Sequence, residues 1–556
     1  MRLFVHFLVA LCCAGVPAQT TILTGSTARI ARTVDPHLHN LAMAGDGSMW
    51  TVVANPDGIA GTSDTLLRKS TDGGKTWSGS YFFTTKTQTY RGGIYIGDDG
   101  FTLHAVWTDT TSGFLDLHYQ TFDTTAGQWI GSPLVIQKGS SSYKWYTHDI
   151  LVTRAGTVVI GASTGVGGGP GFNGQSTVVF IKKHGATAFS PPLKVNKGTA
   201  TVADIGRLPA LQAQDELVHI IYRTKRSSTS GIHYGFSYRS LDTVKMTFQQ
   251  ANDVHIGPND NAGVNGGRNL ATALDAAGNM HCVYVSPDKL RMSFGPNGKM
   301  GTNAGWKDLT ITADQGLLGG NSPTVHYSHF SVTSGPSGLV HVIYSKLSGS
   351  YKNLYIQTFI FGQPLIKPPA NNERLLRAGS TDSYVKVNAD SDTRKFTGGF
   401  AVTSGTPLGF TRGIVQFHDI ANDPARTVEL GVSCQGSLAN YPRLRAQKRP
   451  LIGKAFDVLI DRMPNNAPFF VSLGGPFSKA PIDLGVIGAP KCHLYNFGGS
   501  LVVGLTASAT GTFAIGTTLP NNPALRGTSV NLQAAVVANS ANSANLVTTN
   551  YLGIFF

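Results

Sequence analysis

One pattern recurs along the chain: an apolar strand, a turn rich in Gly and Asp, and a second apolar strand. Its copies are Asn40–Ala54, Gly93–Trp107, Asp149–Ala162, Leu208–Tyr222, Asn269–Tyr284, Phe330–Tyr344 and Val385–Val402, which begin 53, 56, 59, 61, 61 and 55 residues apart. A period near sixty has room for four short strands and their loops, and a unit that small cannot bury both of its own faces. Third strands follow at Thr65–Ser70, Leu115–Phe122, Gly231–Tyr238, Lys289–Phe294 and Asn353–Phe359, and Trp77, Trp129 and Trp306 come after some of them. Small antiparallel sheets arranged radially bury their faces against one another, which is the geometry of a β-propeller. The expected class is all-β: a seven-bladed β-propeller, or a six-bladed one if the degenerate last copy is no blade. Thr21–Val34 is a candidate for a strand that closes the ring.

Composition agrees with many strands and tight turns. Gly makes up 66 of 556 residues and only 14% are charged, against about a quarter in an average globular chain. No heptads run far enough for a helical bundle. A chain of this length exceeds what one ordinary core supports, roughly 250–300 residues, so the repeats predict one radial unit with a further domain behind it.

The compartment follows from the first residues. Arg2 precedes a mostly apolar run, Leu3–Gly15, and Val16-Pro17-Ala18 is a small-residue cleavage site. Residues 1–18 therefore read as a secretory signal, and the run is too short to span a bilayer. No later stretch has 18 uninterrupted apolar residues, so no membrane span is expected. The net charge of +14 asks for an acidic partner. Export makes that partner an extracellular polyanion rather than nucleic acid: an acidic or complex polysaccharide, met by a monomer. Three cysteines lie beyond the signal. Cys434 and Cys492 are candidates for a disulfide closing a loop of 58 residues, and Cys282 reads as a buried thiol.

Ser70-Thr71-Asp72-Gly73-Gly74-Lys75-Thr76-Trp77 fits S-x-D-x-G-x-x-W at Ser70, Asp72, Gly74 and Trp77. A carboxylate at this spacing accepts from turn N–H groups, and Trp packs the turn onto its sheet. The motif resembles the Asp box, or BNR repeat, of the sialidase superfamily, over roughly residues 33–425. In that family the box is structural, so the resemblance implies no catalytic role for Asp72. Thr121–Trp129 resembles a decayed second copy. The family's Phe-Arg-Ile-Pro stretch is missing, and no Tyr/Glu nucleophile pair matches. The architecture also resembles Asp-box propellers among polysaccharide lyases, where His, Tyr and Arg carry the reaction.

In propellers the first strand of each blade starts at the ligand-binding face. That places His39, Arg91, His148, Arg207, Arg268, His329 and Tyr384 around one mouth, with Tyr146 beside His148. Arg offers a forked donor set to carboxylates, and His suits proton transfer near neutral pH. The lyase reading puts Arg207 and Arg268 on a uronate carboxylate, His148 as base, and Tyr146 or Tyr384 as the acid. The sialidase-like reading puts Arg91, Arg207 and Arg268 on the carboxylate. His39 and His329 complete the substrate contacts. Taken singly, each of these is more often a structural side chain, and a non-catalytic glycan-binding or surface-attached propeller is the alternative. The second-strand histidines His104, His219, His281 and His341 read as packing. No H-E-x-x-H, C-x-x-C or EF-hand loop occurs, so no metal and no cofactor are expected. Gly165–Gly174 is a Gly-rich loop without phosphate-binding context.

Residues 427–556 change character, with period-2 strands such as Ala455–Met463 and Val530–Ala538. They predict a C-terminal β-sandwich. With Gly431-x-x-Cys434-x-Gly436 and Gly488-x-x-Lys491-Cys492, this unit resembles a C-terminal domain attached to many secreted bacterial proteins, which implies an accessory, attachment or sorting role.

Overall fold

The computed structural model describes residues 19–24 and most of 39–556. Outside the described residues lie 1–18, 25–38, 56–63, 84–88, 165–175, 198–206, 257–269, 313–329, 361–373, 381–385, 390–399, 406–413, 420–425, 435–441, 475–481 and 496–500, with turn positions of one to four residues. The signal segment 1–18 and the Gly165–Gly174 loop therefore fall outside them.

The described chain is all-β apart from short 3-10 turns. Between residues 19 and 419 its strands form seven antiparallel sheets, the first six running in chain order, with Val254–Ile256 added to the fourth beside Gly231–Asp242, and the seventh completed by the N-terminal strand. The first holds Leu41–Met43, Met49–Asn55, Asp64–Ser70 and Ser78–Phe82. The second holds Thr89–Ile96, Thr102–Asp109, Asp116–Asp123 and Gln128–Gln137. The third begins with Trp145–Val152 and Val158–Thr164, and the fourth with Arg207–Gln214, Leu217–Ser228 and Gly231–Asp242. The fifth begins with Leu270–Leu274 and Met280–Ser286, the sixth with Phe330–Ser334, Leu339–Ser348 and Tyr351–Ile360. The seventh consists of Lys386–Ala389, Phe400–Gly405, Ile414–Asp419 and, as its outermost strand, Gln19–Thr24. Gln19 pairs with His418 and Thr24 with Ile414. The described part of the joining strand is Gln19–Thr24, and residues 25–34 of the expected stretch lie outside the described residues.

First strands of consecutive sheets lie against one another from the first sheet to the seventh. Apolar clusters explain that packing, because each bridges neighbouring sheets. Trp50, Leu67, Ile94, Trp107 and Phe122 join the first and second; Ile150, Ile160, Leu211 and Tyr222 join the third and fourth. Ala210, Tyr238, Met280 and Trp306 join the fourth and fifth, and Val283, Met292, Phe330 and Val342 the fifth and sixth. Val158–Thr164 is buried along its whole length, as expected for a strand covered on both faces. Each fully buried aliphatic or Phe side chain contributes about 1.5–3 kcal/mol. The turns between first and second strands need a left-handed residue: Gly156 and Gly278 supply it at φ 75° and 82°, and Asp215 takes φ 55° in the fourth sheet.

Arg426–Leu430 starts a separate set of strands. A five-stranded sheet pairs it with Leu546–Phe555, followed by Ser529–Val537, Pro468–Gly474 and Leu501–Thr506. A three-stranded sheet holds Arg443–Ala446, Ala455–Asp461 and Phe513–Thr518. Their apolar cluster, from Cys434 to Phe556, draws on no residue of the seven sheets. Cys434 and Cys492 are bonded, with Cα atoms 4.7 Å apart, and Asn550 ties the two sheets by donating to Leu444 O at 2.8 Å and accepting from Leu444 N at 2.9 Å. Among the described residues no helix is long and apolar enough to cross a membrane.

Candidate functional site

Of the residues singled out by sequence, His39, Arg91, Tyr146, His148 and Arg207 lie at the strand-start end of their sheets. His39 stands two residues before the first strand of the first sheet, and its carbonyl accepts from Ile94 N of the second at 2.7 Å. Gly93 lies beside that contact. A Cβ there would lie 3.4 Å from both His39 O and Ile150 Cγ2. Across this gap His39 meets Asp149 of the third sheet: Nδ1 lies 2.9 Å and the backbone N 3.0 Å from Asp149 Oδ1. Ile150 N donates to the same oxygen at 2.9 Å, and Leu211 N of the fourth sheet donates to Oδ2 at 2.8 Å. One carboxylate thus joins backbone from the first, third and fourth sheets.

Three backbone N–H groups can only donate, so both carboxylate oxygens must accept. The His39 contact then requires Nδ1–H as donor, which leaves Nε2 as the acceptor nitrogen of the ring. Asp149 is fully buried, whereas His39 keeps 4% of its side chain exposed. The ring is the part of the pair that reaches outward. Tyr95 of the second sheet packs edge-on against it, with centroids 5.0 Å apart.

His148, one residue earlier, is fully buried. Alternation puts it on the side of Ile150, toward Gly93 of the second sheet, opposite the Asp149 carboxylate. Arg91, Tyr146 and Arg207 take their places in the first strands of the second, third and fourth sheets. Arg207 has Arg223 as its cross-strand partner, and Arg223 is buried. Like charges placed opposite each other are unfavourable without an anion or other compensation. Arg268, His329 and Tyr384 lie outside the described residues. Among the described residues no group of three His, Cys, Asp or Glu side chains is placed to hold a metal ion.

The turn at Ser70–Trp77 shows the wiring its sequence suggests. Asp72 Oδ1 accepts from Ser70 Oγ at 2.8 Å and from Thr76 N at 2.9 Å, Oδ2 accepts from Thr76 Oγ1 at 2.6 Å, and Trp77 Nε1 donates to Gly74 O at 3.1 Å. Gly74 sits at φ 91°. These bonds of Asp72 stay within its own turn. Asp123 repeats the device in part, accepting from Thr125 N and Ala126 N.

Three of the second-strand histidines, His104, His219 and His281, have partners within their sheets. His104 Nδ1 lies 2.7 Å from Tyr119 OH, and His219 Nδ1 2.8 Å from Tyr238 OH. Both are diagonal pairs, since Val106 and Ile221 are the cross-strand partners of those tyrosines. In the fifth sheet Met292 occupies the Tyr position, and His281 turns to Asp275 at 3.2 Å. Burial pushes His219 down to about 4 and Tyr238 up to about 12. Burial, then Asp308, pushes the Cys282 thiol up, so it is an inert core thiol.

No protein-family model and no curated protein matches the chain. Solved structures do resemble it. An ulvan lyase of a new polysaccharide lyase family aligns at TM-score 0.49 and 9% identity, over 73% of this chain and 96% of that one. An α-L-arabinanase of Penicillium chrysogenum aligns at 0.35 and 12%, over 73% and 99%. The endosialidase of phage phi92 aligns at 0.38 and 11%, over 72% and 68%. Scores below 0.5 decide neither fold nor activity, which rest on this chain's own sheets and side chains.

Sequence reasoning missed Asp149 and Arg223 as members of the strand-start end. Asp149 did carry a signal: it is an acidic residue at the head of the apolar run Ile150-Leu151-Val152. Its partner His39 lies 110 residues away, and no local pattern announces that distance.

Proposed function

We propose that the seven sheets are the blades of a seven-bladed propeller carrying a C-terminal β-sandwich (residues 19–425 and 427–556), and that the secreted protein acts on an acidic glycan at the strand-start mouth. The observation that carries this reading is the His39–Asp149 pair, set where first strands of four consecutive sheets meet and ringed in sequence by arginines. On a uronate polymer the chemistry is β-elimination. Arg91, Arg207 and Arg268 neutralise the carboxylate and acidify the α-proton. A mouth histidine takes that proton, the C–H electrons form the ring double bond, the glycosidic C–O bond breaks, and Tyr146 or Tyr384 protonates the leaving oxygen. The sequence favours His148 as the base. The geometry favours His39, because Asp149 fixes its tautomer and stabilises the imidazolium that forms, whereas His148 is sealed between sheets. Asp149 itself is fully engaged as an acceptor, so a two-carboxylate hydrolysis has little to work with.

The small exposed edge of His39 favours one second reading, a propeller that binds glycan without cutting it. A panel of polyuronates and sialosides, read for unsaturated uronate, free sialic acid and reducing ends, separates the readings. Unsaturated uronate is the expected product. His39→Gln, which keeps the backbone N–H on Asp149, is expected to lower kcat about 100-fold or more. Free sialic acid would replace the lyase by a sialidase-like hydrolase, and no product from any member would leave the binding module.

A further inference from the structure

The five-stranded sheet of the C-terminal unit has one face on the apolar cluster and one away from it. In Pro468–Gly474 the side chains of Phe469, Val471 and Leu473 enter that cluster or pack against it. Alternation sends Phe470 to the opposite face. It is 47% exposed, the most exposed aromatic side chain among the described residues. Its cross-strand neighbours are small: Ala535 on one side, and Gly504 of the edge strand Leu501–Thr506 on the other. A Cβ at Gly504 would lie 3.5 Å from Phe470 Cε1. The ring therefore leans over the glycine, and no side chain stands on that flank.

A polar wall stands beside the ring. Gln533 lies across from Ser472, which is two residues and about 7 Å along the strand from Phe470. Its side chain holds the segment 493–495 on this face: Nε2 donates to His493 O at 2.8 Å, and Oε1 accepts from Tyr495 N at 2.8 Å. The His493 ring is half-buried and packs against Tyr495, with centroids 6.0 Å apart. Its Nδ1 is buried without a hydrogen-bond partner. No bond within the unit fixes its tautomer, so the ring can meet a hydroxyl as donor or as acceptor. Charge is missing from the floor. Pro468–Gly474, Leu501–Thr506, Ser529–Val537 and Leu546–Phe555 contain no Asp, Glu, Lys or Arg, in a chain of net charge +14.

We propose that Phe470, with His493 beside it, is a binding site for a pyranose ring of an uncharged polysaccharide. The C–H face of such a sugar covers the aromatic ring and takes apolar surface of both out of water. A hydroxyl at its rim meets His493. The size of the patch decides against a protein partner, which needs about 800 Å² on each side; one ring between a glycine and an alanine offers far less. Val486 and Ile487, the unit's other exposed large apolar side chains, belong to the turn Leu484–Ile487. The site is separate from the mouth and differs from it in charge: neutral sugar here, anionic sugar at His39.

The test is affinity electrophoresis of the full chain in gels holding galactan, mannan, xylan or a mixed-linkage glucan, with a polyuronate as control. At least one uncharged polymer is expected to retard the wild type, and calorimetry with that polymer should give the same affinity at low and moderate salt. Phe470→Ala should weaken binding about tenfold and His493→Ala about threefold, whereas Phe470→Tyr should stay close to the wild type. Gly504→Val keeps the ring and fills its flank, so it should bind as poorly as Phe470→Ala. Its Cβ makes only ordinary contact, which keeps the test open if the alanine variant folds poorly. Retardation by none of the four polymers, or equal affinity of the wild type, Phe470→Ala and Gly504→Val, would overturn the proposal. So would a wild-type dimer in sedimentation that Phe470→Ala dissolves, which gives the ring to a second copy. All variants should match the wild type on the polyuronate, whether the mouth cuts it, binds it or ignores it. A joint loss on both kinds of polymer would deny the C-terminal unit a site of its own.

Discussion

The seven sheets and the C-terminal unit are both antiparallel β, yet they are tied together by different means. Residues 19–419 are closed by chain pairing: Gln19–Thr24 is the outer strand of the sheet that ends at Asp419. Residues 426–556 are closed by Arg426–Leu430 against Leu546–Phe555 and by the Cys434–Cys492 bond. The ring spreads its stability over repeated interfaces in which each sheet meets only its neighbours. The C-terminal unit is smaller, has one apolar cluster, and adds covalent and polar ties such as Asn550 between its sheets. Closure by a strand is only as strong as its ladder. Closure by a disulfide acts on the unfolded chain and survives local opening.

Three measurements sharpen or break this contrast. Removing Gln19–Thr24 should have the largest effect. It strips the outer ladder from the seventh sheet, worth about 5 kcal/mol at roughly 1 kcal/mol per hydrogen bond. Calorimetry should show the ring transition falling while the transition of the C-terminal unit stays; a single transition shifted as one would break the distinction. Replacing Cys434 and Cys492 by Ser should lower only the C-terminal transition, by up to about 4 kcal/mol. An unchanged transition would show that its sheets need no covalent closure.

The third measurement is pH. Burial holds His219 neutral in the folded ring by pushing it down to about 4, against about 6.5 in an unfolded chain. The unfolded state therefore binds the proton first. The contribution is fully present above pH 6.5 and is lost as pH falls toward 4, by roughly 3 kcal/mol at most. His219→Gln should flatten that slope in the ring transition and leave the C-terminal one untouched. A slope that persists in the variant would assign it to other groups.

The two regions also differed in how much of them the sequence disclosed. Period-2 runs bounded by Gly and Asp located the strands of both, because alternation is a local signal: Leu115–Phe122 was read and Asp116–Asp123 is found. Second-strand histidines were legible as packing for the same reason, since Tyr119 and Tyr238 sit one hairpin away. The mouth was legible only as a set of positions. Which member of His148-Asp149 faces the axis depends on where His39 arrives from another sheet, and that is a property of ring closure.

The junction at Asp215 bears on how the two regions work together. Arg154 of the third sheet lies 3.2 Å from Asp215, and Arg462 of the C-terminal unit bonds to its other oxygen. Burial opposes ionisation there, but Arg154, Arg443 and Arg462 hold the carboxyl below the usual carboxylate range. Asp215 occupies the turn that ends the first strand of its sheet, so the C-terminal unit is fastened to the end of the sheets away from His39. A protein tethered by that unit to a surface would therefore present its strand-start end outward, facing the medium rather than its own anchor.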